Sequence, residues 1–156
     1  MASLLALTQS QPVRRLTPGQ RLIDMGDAPG GELYVLQSGK LIVSRDGVDI
    51  ATIDEPGALI GEMSVLLGID HSATVRAETV SEVRIIENAI SFLERTPVVA
   101  LHVATLACER LDRTSALLVE LRKETEGKAG EQGLLSRIFS ALLEPPKKGG
   151  RIVTHE

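Results

Sequence analysis

The stretch Pro56-Gly57-Ala58-Leu59-Ile60-Gly61-Glu62-Met63-Ser64-Val65-Leu66-Leu67-Gly68-Ile69-Asp70-His71-Ser72-Ala73-Thr74-Val75-Arg76-Ala77 decides how this chain is read. It holds a glycine turn, a carboxylate, one short apolar helical turn and a loop that enters a β-rich run. A helix start leaves backbone N–H groups unpaired and suits an anion. Glu62 stands at that start, where it can accept hydrogen bonds from a sugar hydroxyl. Ser72 and Thr74 bring hydroxyls, and His71 a cation that switches near neutral pH. On residue types alone, the group fits a phosphate and its ribose. It fits equally well a helix that Glu62 simply caps.

Outward from this stretch, glycine divides the chain. Nine of the 14 glycines lie between Gly19 and Gly68, and none lies between Ile69 and Glu126. In the first region Gly, Pro and Asp punctuate short β-rich runs: Leu33–Leu36, Leu41–Val43 and Val48–Ile53, followed by Ala73–Ala77 and Glu82–Ile86. Such runs read as antiparallel strands of a sandwich or barrel. Asp46-Gly47 is a strong hairpin signal, and Gln37-Ser38-Gly39-Lys40 a second turn.

Thr96-Pro97 fits a helix start, and no Gly or Pro follows from Val98 to Glu124. Ala104, Ala107, Leu111, Thr114, Leu118 and Leu121 recur at spacings of three and four, as in a heptad seam. The first turns fit packing on the β domain. The turns beyond Leu111 fit a two-helix seam and hence a homodimer. Residues 127–133 read as a polar linker, 134–143 as a short amphipathic helix that docks a protein partner, and 147–151 as a disordered, mildly basic tail.

The motifs, taken in order, resemble the cyclic nucleotide-binding domain family, the sensor module of catabolite activators, cyclic nucleotide-dependent kinases and gated channels. Leu22-Ile23-Asp24-Met25-Gly26-Asp27 resembles the family's early strand and turn, and Leu33-Tyr34-Val35-Leu36-Gln37-Ser38-Gly39 its strand ending in glycine. Gly61-Glu62-Met63-Ser64 resembles the start of its phosphate-binding cassette, and Ser72-Ala73-Thr74-Val75-Arg76-Ala77 the exit strand. The resemblance implies a mainly β fold with flanking helices, a double-stranded β-helix (jelly-roll) barrel followed by a long C-terminal helix. It places an N-terminal segment at 1–15, the binding domain at 16–124 with the long helix at 97–124, and a linker, short helix and tail at 125–156.

The resemblance also implies a stand-alone sensor of cAMP or cGMP, with no further cofactor, that signals through its long helix. Glu62 would bind the ribose 2′-hydroxyl. Backbone N–H groups around Gly61, Met63 and Ser64 would face the cyclic phosphate, with Ser72, Ala73 and Thr74 completing the cassette. His71 stands where the family carries an arginine that pairs with the phosphate. Histidine lacks the permanent charge and bidentate fork, a loss on the order of 10- to 100-fold in affinity. Glu109-Arg110-Leu111-Asp112-Arg113-Thr114-Ser115 resembles a sensor helix whose Thr-Ser pair meets the base, which implicates Thr114, Ser115 and Arg110. For Thr114 the other reading is a bond back to its own helix carbonyl. The alternative function is a non-binding form of the fold that acts as a dimerisation or interaction module.

Several classes do not fit. A net charge of −4 offers no chain-wide footprint for nucleic acid, and 32 residues after Glu124 are too few for the DNA-reading domain of related regulators. No apolar run reaches membrane-spanning length. The single cysteine, Cys108, forms no intrachain disulfide, suits a reducing cytoplasm and reads as a small buried hydrophobe. His71, His102 and His155 share no metal-ligand spacing, and no Ser/His/Asp arrangement or Walker loop is visible, so no enzyme is expected.

Overall fold

The computed structural model describes residues 3–125, 133, 134, 136–138, 140 and 141. The elements run α1 (Leu4–Leu7), β1 (Val13–Leu16), β2 (Arg21–Ile23), β3 (Leu33–Ser38), β4 (Leu41–Arg45), β5 (Val48–Ile53), β6 (Leu59–Ile60), α2 (Glu62–Leu67), β7 (Thr74–Ala77), β8 (Ser81–Ile86), α3 (Ala89–Arg95) and α4 (Pro97–Glu124). The eight strands form two four-stranded antiparallel sheets, ordered β1-β8-β3-β6 and β2-β7-β4-β5. The jelly-roll expectation is met as a sandwich. The end strands of the two sheets do not pair with each other, so it is not a closed barrel.

Both sheets feed one core. Leu16, Tyr34, Leu36, Ile60, Val83 and Ile85 come from the first, and Leu22, Leu41, Val75 and Ala77 from the second. Along β8, Val83 and Ile85 recur at the strand period of two, which turns one face inward. β3 is different: Leu33 to Leu36 are all buried. Its second face is covered, because α1 packs against it. A continuous apolar run is what a strand buried on both faces requires.

The turns follow their glycines. Asp46 and Gly47 both have positive φ, 50° and 78°, and join β4 to β5 in a two-residue hairpin with Arg45 opposite Val48. Gly39 turns the chain from β3 in one sheet to β4 in the other. A Cβ there would lie 2.5 Å from the Val80 carbonyl oxygen and would overlap Ser81, and φ is +95°, so only glycine fits.

The chain divides into two compact units, one running to His102 and the other from Val103. α4 is continuous across the division. The described residues of the expected 134–143 helix (134, 136–138, 140 and 141) are helical, as is Gly133. The rest of the linker and the 147–151 tail lie outside the described residues. Among the described residues, no single helix is long and apolar enough to cross a membrane.

Candidate functional site

The cassette bridges the two sheets. It leaves β6 at the edge of one, forms α2, and enters β7 inside the other. Gly61 and Gly68, with φ of 89° and 64°, bracket α2. At Gly61 a Cβ would meet the Glu32 carbonyl oxygen at 3.4 Å and the Ile23 side chain at 3.6 Å. Those are ordinary contacts, so it is the φ of 89° that calls for glycine and lets the chain turn sharply off β6. Gly68 closes the helix by donating its N–H to the Ser64 carbonyl at 2.9 Å.

Ser64 is buried on the inner side of α2, and its Oγ lies 2.8 Å from Nδ1 of His71. The backbone of His71 is held as well. Its N–H donates to the Asp27 carbonyl at 2.9 Å, and its carbonyl accepts from the Gly26 N–H at 2.8 Å. Two residues earlier in that turn, Met25 N–H donates to Oγ1 of Thr74 at 3.0 Å. The β2–β3 turn thus clamps the cassette exit from both ends. Sequence reading missed this clamp. Its one signal was the Gly26-Asp27 turn, which said nothing of its distant partner.

Two donors at the centre of the cassette remain uncommitted. Nε2 of His71 and Oγ of Ser72 have no hydrogen-bond partner among the described residues. Both residues are half-buried. The one buried, unpartnered side-chain nitrogen or oxygen among the described residues is Nδ1 of His102, so the His71 and Ser72 atoms are reached by solvent. Gly61, Glu62 and Ala73 are half-buried, Met63 is exposed, and Glu62 is engaged in an interaction of its own. Arg76 cannot stand in for the missing arginine. Its guanidinium grips Asp49 with two bonds, at 2.9 and 2.8 Å. That fork raises the Arg76 pKa and lowers the Asp49 carboxyl below its usual range.

His71 lines a cavity of about 180 Å³ together with Asp24, Asp27, Glu32 and Tyr34. Tyr34 donates its hydroxyl to the Glu32 carboxylate. Burial, with that carboxylate, pushes the phenol up to about 12. Among the described residues, no group of three His, Cys, Asp or Glu side chains is placed to hold a metal ion.

The second unit carries the remaining candidates. Oγ1 of Thr114 donates to the Arg110 carbonyl and Oγ of Ser115 to the Leu111 carbonyl, each at 2.8 Å. Both hydroxyls are therefore committed to their own helix, the second of the two readings offered for Thr114. Arg110 is exposed and has an interaction partner. In the seam, Ala104, Ala107, Leu111, Thr114 and Leu121 are exposed and Leu118 is half-buried. Cys108 is exposed as well, against the expectation of a buried small hydrophobe, because it lies on a solvent-facing side of α4.

The family model for the cyclic nucleotide-binding domain matches residues 13–91, just over half of the sequence. The chain belongs to the cyclic nucleotide-binding domain family. Its fold is accordingly that of a cyclic nucleotide sensor. Among solved structures this domain is similar to the Thermus thermophilus catabolite activator protein, with a TM-score of 0.64 and 29% identity over 76% of this chain and 58% of that one. It is also similar to the N-terminal domain of a transcriptional regulator from Streptomyces coelicolor A3(2), with a TM-score of 0.53 and 30% identity over 70% and 81% of the two chains. A third similar structure is a cAMP-binding acyltransferase from Mycobacterium smegmatis, with a TM-score of 0.56 and 28% identity over 70% and 36%. This chain thus spans 58% of the length of the Thermus protein. No curated protein matches the sequence.

Proposed function

We propose that this chain binds cAMP or cGMP in the cassette formed by residues 61–74 and passes the signal on through α4. The observation that carries the reading is the adjacent pair of accessible, uncommitted donors, His71 Nε2 and Ser72 Oγ, on a loop clamped from both sides. A preformed pair of donors costs little reorganisation on meeting an anion. Backbone N–H groups of Gly61, Met63, Ser64 and Ala73 add to the phosphate side, Glu62 accepts the ribose 2′-hydroxyl, and Thr74 orders the exit. Similarity to a cAMP-binding acyltransferase at 28% identity favours cAMP as the first ligand to test.

The ligand would act on α4 by binding one of its arrangements better than another. Arg110, Thr114 and Ser115 become base contacts in this reading, with the two hydroxyls released from their helix carbonyls. The exposed α4 residues Leu111, Leu117 and Leu121 favour a homodimer through this helix, or a protein partner. They equally support the second reading, in which the chain works as an interaction module without a ligand. The sensing domain has no catalytic role in the proposal.

Calorimetric titration with each nucleotide at pH 6 and pH 8 separates the two readings. The sensor reading expects saturable binding of at least one nucleotide. No binding of either nucleotide up to millimolar ligand overturns it and leaves the interaction module.

A further inference from the structure

Histidine in the arginine position brings a problem that arginine does not have. A neutral imidazole carries its single proton on either nitrogen, and only the nitrogen that bears it can donate to an anion. The structure assigns a solution to Ser64. Its hydroxyl lies 2.8 Å from Nδ1, on the buried side, while Nε2 is accessible and unpartnered among the described residues. A hydroxyl both donates and accepts. Ser64 is buried and its Oγ has no other hydrogen-bond partner among the described residues, so toward a neutral His71 only Nδ1 can accept the Oγ–H, and the ring proton sits on Nε2. Toward a protonated His71, Nδ1–H donates to Oγ and Nε2 is again protonated. In both charge states Nε2 carries a hydrogen. Ser64 is thus a positioning residue that keeps His71 a donor to the phosphate in either charge state.

The surroundings agree. The charged and titratable groups that line the cavity with His71 are Asp24, Asp27, Glu32 and Tyr34. None makes a hydrogen bond or ion pair to the imidazole, so the tautomer is left to Ser64. The backbone of His71 is fixed by Gly26 and Asp27, which holds the residue beside Ser64. Glycine or alanine at position 64 would leave Nδ1 without this partner and the ring free to turn.

This role in binding rests on the proposed cassette function, but the tautomer does not, so the two are tested separately. Nitrogen-15 NMR of His71 in the ligand-free full chain at pH 8 is expected to show a protonated Nε2 and a bare Nδ1. In Ser64→Ala the two tautomers mix, and in Ser64→Thr the wild-type pattern returns. A proton on Nδ1 in the wild type, or an unchanged pattern in Ser64→Ala, overturns the inference. Titration with cAMP then expects Ser64→Ala to bind about five- to tenfold more weakly at pH 8, with Ser64→Thr close to wild type. Equal affinity of wild type and Ser64→Ala overturns the positioning role. Absence of binding in the wild type instead counts against the cassette function, and the NMR result still decides the tautomer.

Discussion

The cassette and the long helix satisfy their polar groups in opposite ways. In the cassette, side chains reach across the sequence: Thr74 to Met25, Arg76 to Asp49, Ser64 to His71 around a turn. In α4, Thr114 and Ser115 reach only four residues back along their own helix. The apolar residues differ likewise. Those of the sandwich core, such as Leu36, Leu41 and Val83, are fully buried, whereas Leu101, Leu111, Leu117 and Leu121 of α4 are 46–65% exposed. Long-range bonds fix a geometry before any ligand arrives. Self-satisfied hydroxyls on an exposed helix fix nothing beyond the helix and leave it free to take a partner. The proposed function assigns recognition to the first region and response to the second.

The comparison breaks first at the core. Leu36→Ala removes a fully buried side chain and is expected to cost about 3 kcal/mol in denaturant unfolding. Leu117→Ala, at a site 65% exposed, is expected to change monomer stability by less than about 0.5 kcal/mol. Similar losses at both sites would erase the distinction.

Tyr34 sharpens the same point through pH. It is the one tyrosine in the chain, so the phenolate absorbance reports on it alone. Its folded pKa, about 12, lies above the ordinary value of 10.0. As pH rises, the unfolded chain therefore loses this proton first. The stability this group confers is intact below about pH 10 and falls away between pH 10 and about 12, by roughly 2–3 kcal/mol. A native titration midpoint near 10 would contradict the packing described for Tyr34 and Glu32.

His71→Arg comes next in size. A bidentate fork in the histidine position is expected to raise cyclic nucleotide affinity about 10- to 100-fold, read by calorimetry. No gain would mean that the cassette does not hold a phosphate. The smallest effect is on the helix. Leu111→Ser with Leu121→Ser is expected to weaken self-association in sedimentation without changing the far-ultraviolet spectrum. Unchanged association would remove α4 as the dimer seam.

The sequence makes much of the β region legible because its punctuation is local. Asp46-Gly47 specifies a hairpin through two positive φ angles, and the alternation of Val83 and Ile85 marks a strand with one buried face. Other elements carry no such signal. Val13, Arg14 and Arg15 of β1 are all exposed, so β1 shows no alternation to read. β6 is only two residues long. α3 starts after Asn88 in a left-handed conformation, with no side-chain cap to announce it. In the site, the residue types and order are visible, and with them the family resemblance. The Ser64–His71 bond is not visible, because it depends on the left-handed turns at Gly61 and Gly68 that fold α2 back onto its loop. The exposure of the α4 seam was likewise hidden, since periodicity states which residues share a face and not what covers it.

The central claim is that the donors of His71 and Ser72 hold a cyclic phosphate. It is tested most directly by titrating cAMP into the wild-type chain and into His71→Ala/Ser72→Ala by calorimetry at pH 6. The account predicts saturable binding to the wild type and at least about a tenfold loss in the double variant, with both proteins unfolding at similar temperatures. Equal affinity in the two proteins, or no binding to the wild type at millimolar nucleotide, would contradict it.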